Sequence, residues 1–213
     1  TKINSIVEHD AVIHMPTANY VNYAYGMANG EPAYIIENGE YKINPASGFD
    51  PTHPFKNRDP RFYHDIVFDG FRYINSATDA TDAPYQYCEM FTGGNIRNDQ
   101  QGTRTGYYCQ KRVPHQCNKY DGMYNWGGAL QCYLPYMRVA DVYLMYAEAC
   151  AAAGGAQYKA QSCDLTALDA INALRDRVGA GHVSAIWTGD KDKFMDEVRR
   201  ERACELAFEG LRW

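Results

Sequence analysis

The sequence predicts a mainly α-helical fold with long irregular loops and a few short strands, on three observations. Residues 138–213 contain good helix formers with apolar side chains at helical spacing. Residues 1–137 instead repeat Gly, Asn, Asp, Pro and Tyr every few positions and keep no helical period beyond about two turns. Of 18 tyrosines, only Tyr143, Tyr146 and Tyr158 follow Arg138. We therefore predict a loop-rich, ligand-facing part at 1–137 and a helical scaffold part of the same domain at 138–213.

Three helices are predicted in the scaffold part. The first covers residues 138–153 and ends at Gly154-Gly155, because glycine favours helix C-termini. The second begins at an N-cap of Ser162 or Asp164 and ends at Gly179. Its apolar stripe consists of Ala167, Ala170, Ile171, Leu174 and Val178. The third covers residues 191–208, with an apolar side formed by Phe194, Met195, Val198 and Leu206. The first two are typical of a tetratricopeptide-like helix pair, the unit of an α-α superhelix, which needs neighbours to bury its faces.

In the loop-rich part, only short stretches such as residues 63–68 resemble strands. The net charge of −5 and the absence of a Lys/Arg block argue against a nucleic-acid surface. No apolar run reaches the roughly 18 residues of a membrane span, and the start at Thr1-Lys2-Ile3-Asn4 does not show the basic region and apolar region of a signal peptide. We expect the chain to be a piece of a longer protein, truncated at both ends.

The seven cysteines contain no C-x-x-C pair. Cys109, His115 and Cys117 could supply metal ligands, but a structural zinc needs a fourth, so we predict no metal and no cofactor. In an oxidising compartment a bridge between Cys109 and Cys117 is favoured instead. Cys150 and Cys163 could similarly face each other across the turn between the first two helices.

The third helix carries Glu201 and Glu205 on one face, with Glu209 one turn further and arginines between them. Two carboxylates at this spacing could suit a glycosidase pair or a metal site. Pairing across helix contacts is the favoured interpretation, because the first helix offers charged partners and the second offers another. These are Arg138, Glu148 and Arg175. We predict no catalytic residue here and a structural role for Arg138, Glu148, Arg175, Glu201 and Glu205.

The segment Arg58-Asp59-Pro60-Arg61 also allows two interpretations. Proline fixes φ and pushes Asp59 toward extended geometry, while the flanking arginines can clamp loop carbonyls or carboxylates. Arginine could equally contact sugar hydroxyls. We predict that the four residues have a conformational role.

Six segments, spread in order over almost the whole chain, resemble the SusD/RagB family. They are MPTANYVNYAYGMANGEP (15–32), NRDPRF (57–62), GYYCQKRV (106–113), RVADVYLMYAEA (138–149), ALDAINALRDRVG (167–179) and DEVRRERACELAFEGLRW (196–213). The resemblance implies a non-enzymatic, cell-surface glycan-binding lipoprotein of Bacteroidota-type bacteria. Such a protein is lipid-anchored to the extracellular face of the outer membrane and delivers oligosaccharides to a SusC-like, TonB-dependent transporter. The lipid anchor would lie outside this chain.

Sugar rings present an apolar face and a rim of hydroxyls, so a glycan site needs flat aromatic platforms beside polar side chains. Tyr120, Tyr124 and Trp126 stand among turn residues, and a second stretch supplies Asn95, Arg97 and Asp99. Tyr34 and Tyr41 flank a segment expected to be flexible. These eight residues are the predicted ligand-binding set. The alternative is a helical-repeat protein-interaction or surface-assembly subunit whose tyrosines form a protein interface.

Overall fold

The computed structural model of the protein describes residues 15–75, 79–81, 83–95, 102–111 and 135–211. The chain divides into two compact units. One comprises Thr1–Ala18 and His64–Tyr133, and the other comprises Asn19–Tyr63 and Leu134–Trp213. Residues 19–63, which the sequence places in the loop-rich part, thus belong to the same unit as the three long helices.

The described residues are mainly helical with a few short strands, which confirms the predicted fold class. The helices are α1 (Ala18–Ala24), α2 (Pro60–Asp65), α3 (Val139–Gly154), α4 (Ala167–Val178), α5 (Ala185–Thr188) and α6 (Lys191–Glu205). The strands are β1 (Tyr34–Glu37), β2 (Glu40–Ile43), β3 (Ile66–Val67) and β4 (Tyr108–Cys109). The strands pair antiparallel as β1 with β2 and β3 with β4. Two single turns of 3-10 helix, Pro45–Ser47 and Ala83–Tyr85, complete the elements.

Helices α3, α4 and α6 build the core of the helical unit, where α3 packs against both of the others. Leu144, Ile171 and Phe194, one from each helix, are completely buried in this core. Each such side chain contributes about 1.5–3 kcal/mol through removal of apolar surface from water. Small residues such as Ala147 and Ala170 lie between them and allow the helices to approach closely.

The ends of α4 show why its sequence forms a helix of this length. Thr166 is the N-cap, and it exchanges hydrogen bonds with Asp169 in a capping box. Gly179 ends the helix with a positive φ of 74°, a conformation that glycine adopts without strain. The predicted end at Gly179 is therefore confirmed. The predicted N-cap at Ser162 or Asp164 is wrong, because only Thr166 has an acidic residue three positions later to complete the box.

Two other element boundaries differ from the prediction. Helix α6 ends at Glu205 rather than at residue 208, since Leu206 leaves helical geometry and Phe208 adopts a positive φ of 61°. Residues 63–65 are helical, and the predicted strand is limited to β3. Pro60 at the first position of α2 fits a helix start, because proline lacks the N–H that would be unpaired there.

The other unit has a small core of its own. Val67, Ile74 and Met90 are buried there together with Cys88 and two tyrosines. Strands β3 and β4 meet through the pairs Ile66–Cys109 and Val67–Tyr108. The burial of Cys88 raises the pKa of its thiol to about 12, so this cysteine stays protonated and behaves as a small apolar side chain.

Candidate functional site

The segment that carries Tyr34 and Tyr41 is a tight hairpin. Asn38 and Gly39 have φ values of 54° and 82°, the positive φ angles that a type I′ turn requires. The strand register places Tyr34 opposite Ile43 and Ile36 opposite Tyr41. Because side chains alternate along a strand, these four share one side of the hairpin, the hairpin face (Tyr34, Ile36, Tyr41, Ile43). The expectation of a flexible segment is wrong, and the Asn-Gly pair was the signal that sequence reasoning missed.

The two tyrosines of the hairpin face differ in their surroundings. The Tyr34 ring packs against Phe49 with a centroid distance of 5.5 Å and covers a small cluster that includes Met27. Tyr41 keeps 41% of its surface exposed and touches Tyr23 of α1 edge-on at 6.1 Å. Tyr41 is thus held at one edge and open to solvent elsewhere, as a stacking platform for a ligand requires.

Asn95 belongs to the unit that comprises Thr1–Ala18 and His64–Tyr133. Its side chain forms hydrogen bonds with the backbone of residues 84–89, earlier in the same loop. The Oδ1 atom accepts a hydrogen bond from the Glu89 N–H at 2.9 Å, and Nδ2 donates to the carbonyls of Pro84 (2.7 Å) and Tyr87 (2.8 Å). Both amide donors are therefore used within the loop. A sugar hydroxyl could reach only the second lone pair of Oδ1.

The remaining predicted ligand residues lie outside the described residues. They are Arg97, Asp99, Tyr120, Tyr124 and Trp126. Their role in binding stays a prediction, and so does the bridge between Cys109 and Cys117, because residue 117 is also outside.

Ten charged side chains of the described helical unit form a single network, the arginine–carboxylate cluster. Five are arginines and five are carboxylates, so the cluster is electrically balanced. Its members are Asp59, Arg61, Arg138, Arg175, Arg177, Glu197, Arg200, Glu201, Glu205 and Glu209. Removal of one partner from such a buried network leaves an uncompensated charge, which is strongly destabilising.

Glu201 lies at the centre of the cluster and is fully buried. It accepts hydrogen bonds from Arg61 and from Arg175 Nε, the latter at 2.8 Å. Burial alone would raise the pKa of Glu201, but the charges of Arg61 and Arg175 outweigh it and hold the pKa well below its usual range. A glycosidase acid needs the opposite shift, so the geometry does not fit a catalytic proton donor.

Glu205 lies one turn further along α6 and accepts hydrogen bonds from three arginines. Arg61 Nη1 donates at 3.1 Å and Arg138 Nη1 at 3.0 Å, while Arg177 donates to both carboxylate oxygens at 2.7 and 2.8 Å. Arg138 also binds Glu209. The cluster therefore joins α2, α3, α4 and α6.

The segment at residues 58–61 joins α1 and α2 to this cluster. Arg58 is buried and donates to the backbone carbonyls of Val21, Tyr25, Gly26 and Pro54. Its guanidinium also lies 4.7 Å from the centre of the Phe62 ring, within cation–π distance. Asp59 accepts from both the backbone and the side chain of Arg61, which orients Arg61 toward Glu201.

Glu148 differs from the other charged residues named from the sequence. It is half-buried on α3, and no ion pair joins it to another residue of the described ranges.

Sequence reasoning missed Glu197 and Arg177. Glu197 stands one turn before Glu201 and binds Arg175 and Arg200, so the i, i+4 row of carboxylates on α6 was the signal that could have found it.

Metal-binding chemistry has no support in the described part of the chain, where no three His, Cys, Asp or Glu side chains are grouped as ligands. Of the three possible metal ligands named from the sequence, His115 and Cys117 lie outside that part.

Comparison with known proteins gives a family for this chain. The family model described as the SusD family matches residues 11–213. A comparison with curated protein sequences finds no match.

Solved structures match over nearly all of the chain. A SusD-like protein from Bacteroides fragilis NCTC 9343 is 28% identical, with a TM-score of 0.60, over 93% of this chain and 34% of its own length. A SusD-like carbohydrate binding protein from the same organism is 23% identical, with a TM-score of 0.55, over 92% of this chain and 34% of its own. At that identity the second match concerns the fold alone. The chain thus spans about a third of the structures it matches, and because the family model covers almost all of its residues, the protein belongs to the SusD family.

Proposed function

We propose that this protein binds oligosaccharides at the cell surface, without catalysis, and passes them to a TonB-dependent transporter of the outer membrane. The observation that carries the proposal is the match of the SusD family model to residues 11–213. A structure of the same fold is described as a SusD-like carbohydrate binding protein, which supports a glycan as the class of ligand.

The chemistry of the hairpin face supports this ligand class. The exposed ring of Tyr41 offers a flat apolar surface to the C–H face of a pyranose, and its hydroxyl can bond to a sugar hydroxyl. Ile36 lies directly opposite Tyr41 in the strand register and extends the apolar surface. Tyr120, Tyr124 and Trp126 would add further platforms, with Arg97 and Asp99 as polar partners.

The absence of catalysis is inferred from the carboxylates of α6. Glu201 and Glu205 are buried and hydrogen-bonded to arginines, so neither is placed to protonate a glycosidic oxygen. We assign both to the scaffold that supports the ligand surface.

The proposed place of action is the extracellular face of the outer membrane. In the ranges that the structure describes, no helix combines the length and the apolar character that a bilayer span requires. We infer that a lipid on a cysteine N-terminal to this chain anchors the protein, as in the family it belongs to, and that its partner is a SusC-like transporter. Co-purification of the anchored protein with a TonB-dependent transporter tests that partnership.

Affinity electrophoresis against a panel of polysaccharides tests the binding proposal. We expect at least one polysaccharide to retard the protein and Trp126→Ala to abolish the retardation, because a stacking platform is lost. Tyr158→Ala is the matched control, since this half-exposed tyrosine belongs to the loop between α3 and α4. Retardation should be unchanged in the control.

A different result would support the alternative function. If no glycan retards the folded protein while a protein or peptide binds it tightly, the tyrosines serve a protein interface and the glycan proposal fails.

A further inference from the structure

The hydroxyl of Tyr146 connects the end of α3 to the loop that precedes α4. It donates a hydrogen bond to the Leu165 carbonyl at 2.6 Å and accepts one from the Ala160 N–H at 3.1 Å. Cys163 lies between these two residues, and its N–H donates to the Ala160 carbonyl at 3.1 Å. The loop therefore folds so that Cys163 lies next to Tyr146.

Cys150 approaches the same point from the helix. It follows Tyr146 by four residues in α3, so the two side chains share one helix face. Both Cys150 and Cys163 carry free thiols in this structure. Cys150 is 4% exposed, whereas Cys163 is half-buried and accessible to solvent.

Both thiols affect the pKa of the Tyr146 hydroxyl. The hydrogen bond from the Ala160 N–H lowers the pKa of Tyr146, but hydrogen bonds with Cys163 and Cys150, together with desolvation, raise it to about 12. Tyr146 bonds to the backbone on both sides of Cys163 and shares a helix face with Cys150, so the two cysteines flank the same phenol group. A disulfide between them requires Cα atoms about 4.4–6.8 Å apart and Cβ atoms that face each other.

We propose that Cys150 and Cys163 form a reversible disulfide that closes the loop between α3 and α4 when the protein meets a small-molecule disulfide oxidant. The sulfur of Cys163, deprotonated, attacks the oxidant R–S–S–R and releases one thiol, R–SH. The sulfur of Cys150, deprotonated in turn, attacks the mixed disulfide and releases the second thiol. Two protein thiols are oxidised, and the oxidant disulfide is reduced to two R–SH.

The order of attack follows from exposure, because Cys163 is half-buried and Cys150 is only 4% exposed. An extracellular location supplies an environment in which such bonds persist. The disulfide itself does not depend on sugar binding, so it can fail or succeed independently of the proposed function.

Peptide mapping of the intact protein tests the proposal. Trypsin cleaves after Arg138, Lys159 and Arg175, so Cys150 and Cys163 fall on separate peptides, 139–159 and 160–175. After treatment of the folded protein with oxidised glutathione and blocking of remaining thiols, we expect these two peptides to be recovered as one linked species. Reduction with dithiothreitol should separate them. The linked protein should also melt about 5 °C higher than the reduced protein.

Two variants serve as controls for the mapping. In Cys150→Ala, peptide 160–175 should retain one glutathione, because the resolving thiol is missing. In Cys88→Ala, which removes a thiol of the other unit, the linked species should form as in the wild type. Recovery of wild-type peptide 160–175 with bound glutathione and no linked species, or of both peptides with blocked thiols, would overturn the proposal.

Discussion

At the scale of single residues, Tyr34 and Tyr41 show that two tyrosines on one side of a hairpin can have different surroundings. Both belong to the hairpin face, but Tyr34 packs on Phe49 while Tyr41 stays open to solvent. The alternation of a strand places them on the same side, and only the loop around Phe49 distinguishes them. The two tyrosines are equivalent in composition, but they differ in packing.

This difference predicts separate effects of two matched substitutions. Tyr41→Ala should weaken binding of a recognised oligosaccharide by about 1–2 kcal/mol, or about 5- to 30-fold in Kd, with little change in Tm, because a stacking surface is lost. Tyr34→Ala should instead lower Tm, because it leaves a gap against Phe49. Calorimetric titration and thermal unfolding measure the two effects. Wild-type affinity in Tyr41→Ala would remove this residue from the site.

Glu205 and Glu148 provide a second comparison at this scale. Glu205→Ala should destabilise the protein by about 3–5 kcal/mol, because Arg61 and Arg138 each lose one buried carboxylate and the cluster keeps an excess positive charge. Glu148→Ala should cost less than about 1 kcal/mol, as no described residue is ion-paired with it. Denaturant unfolding measures both values, and oligosaccharide affinity should survive in each folded variant. Equal stabilities, or loss of binding in a Glu205→Ala protein of unchanged stability, would contradict a scaffold role.

At the scale of elements, α6 contributes a row of carboxylates whose ionisation is coupled to folding. Burial raises the pKa values of Glu197 and Glu201, but neighbouring arginines outweigh it and lower both. Their unfolded-state pKa lies near 4.5. Folding therefore favours the ionised form, and the stability gained is fully present above that value and lost as pH falls through the folded-state pKa values.

The corresponding prediction is a loss of stability on the acid side. Tm should be nearly constant between about pH 6 and 8 and should fall progressively below about pH 4.5. Glu201→Gln should start from a lower Tm and show a shallower decline, because one coupled proton is removed. Scanning calorimetry across this range provides the test, and a Tm that rises between about pH 4.5 and 3 would contradict the cluster's assigned charges.

In the loop before β1, the backbone at Gly30 lies directly against the backbone at Gly181. Gly30 has a φ of 90°, and a Cβ atom there would lie 2.4 Å from the Gly181 carbonyl oxygen. Arg175 and Arg200 both donate to the Gly30 carbonyl, so this loop is held against α4 and α6. A side chain at position 30 would disturb both the turn and the arginines.

Gly30→Ala should therefore destabilise the protein by about 1–3 kcal/mol or more. Gly189→Ala is the matched control, because its φ is −77° and the nearest atom to a new Cβ lies 3.8 Å away. Its stability should stay within about 0.5 kcal/mol of wild type. Urea unfolding of the two variants compares them directly, and equal midpoints would refute the proposed close approach.

Local sequence signals predicted some of these elements and not others. Helix α3 lies within one residue of its predicted bounds, and α4 ends at its predicted glycine, because propensity and glycine stops act within a few residues of chain. The ion pair of Arg61 with Glu201 joins residues 140 apart in the sequence, and no local pattern specifies such a partner. Position on α6 predicted that Glu201 faces a neighbouring element, but only the tertiary fold selects Arg61 and Arg175.

At the scale of the whole molecule, the SusD family model matches residues 11–213, which include parts of both compact units. The helical unit holds a balanced cluster of buried charges, which suits a rigid scaffold. Five of the eight residues predicted to bind ligand lie outside the described residues, so chemistry alone supports their role. The chain spans about a third of the structures that it matches.

Calorimetric titration with oligosaccharides released from a polysaccharide that retards the protein tests the central proposal most directly. We expect saturable binding, with Kd raised at least about fivefold in Tyr41→Ala and in Trp126→Ala and unchanged in Tyr158→Ala. If the folded wild-type protein produces no binding heat with any oligosaccharide and is retarded by no polysaccharide, the glycan-binding account is contradicted.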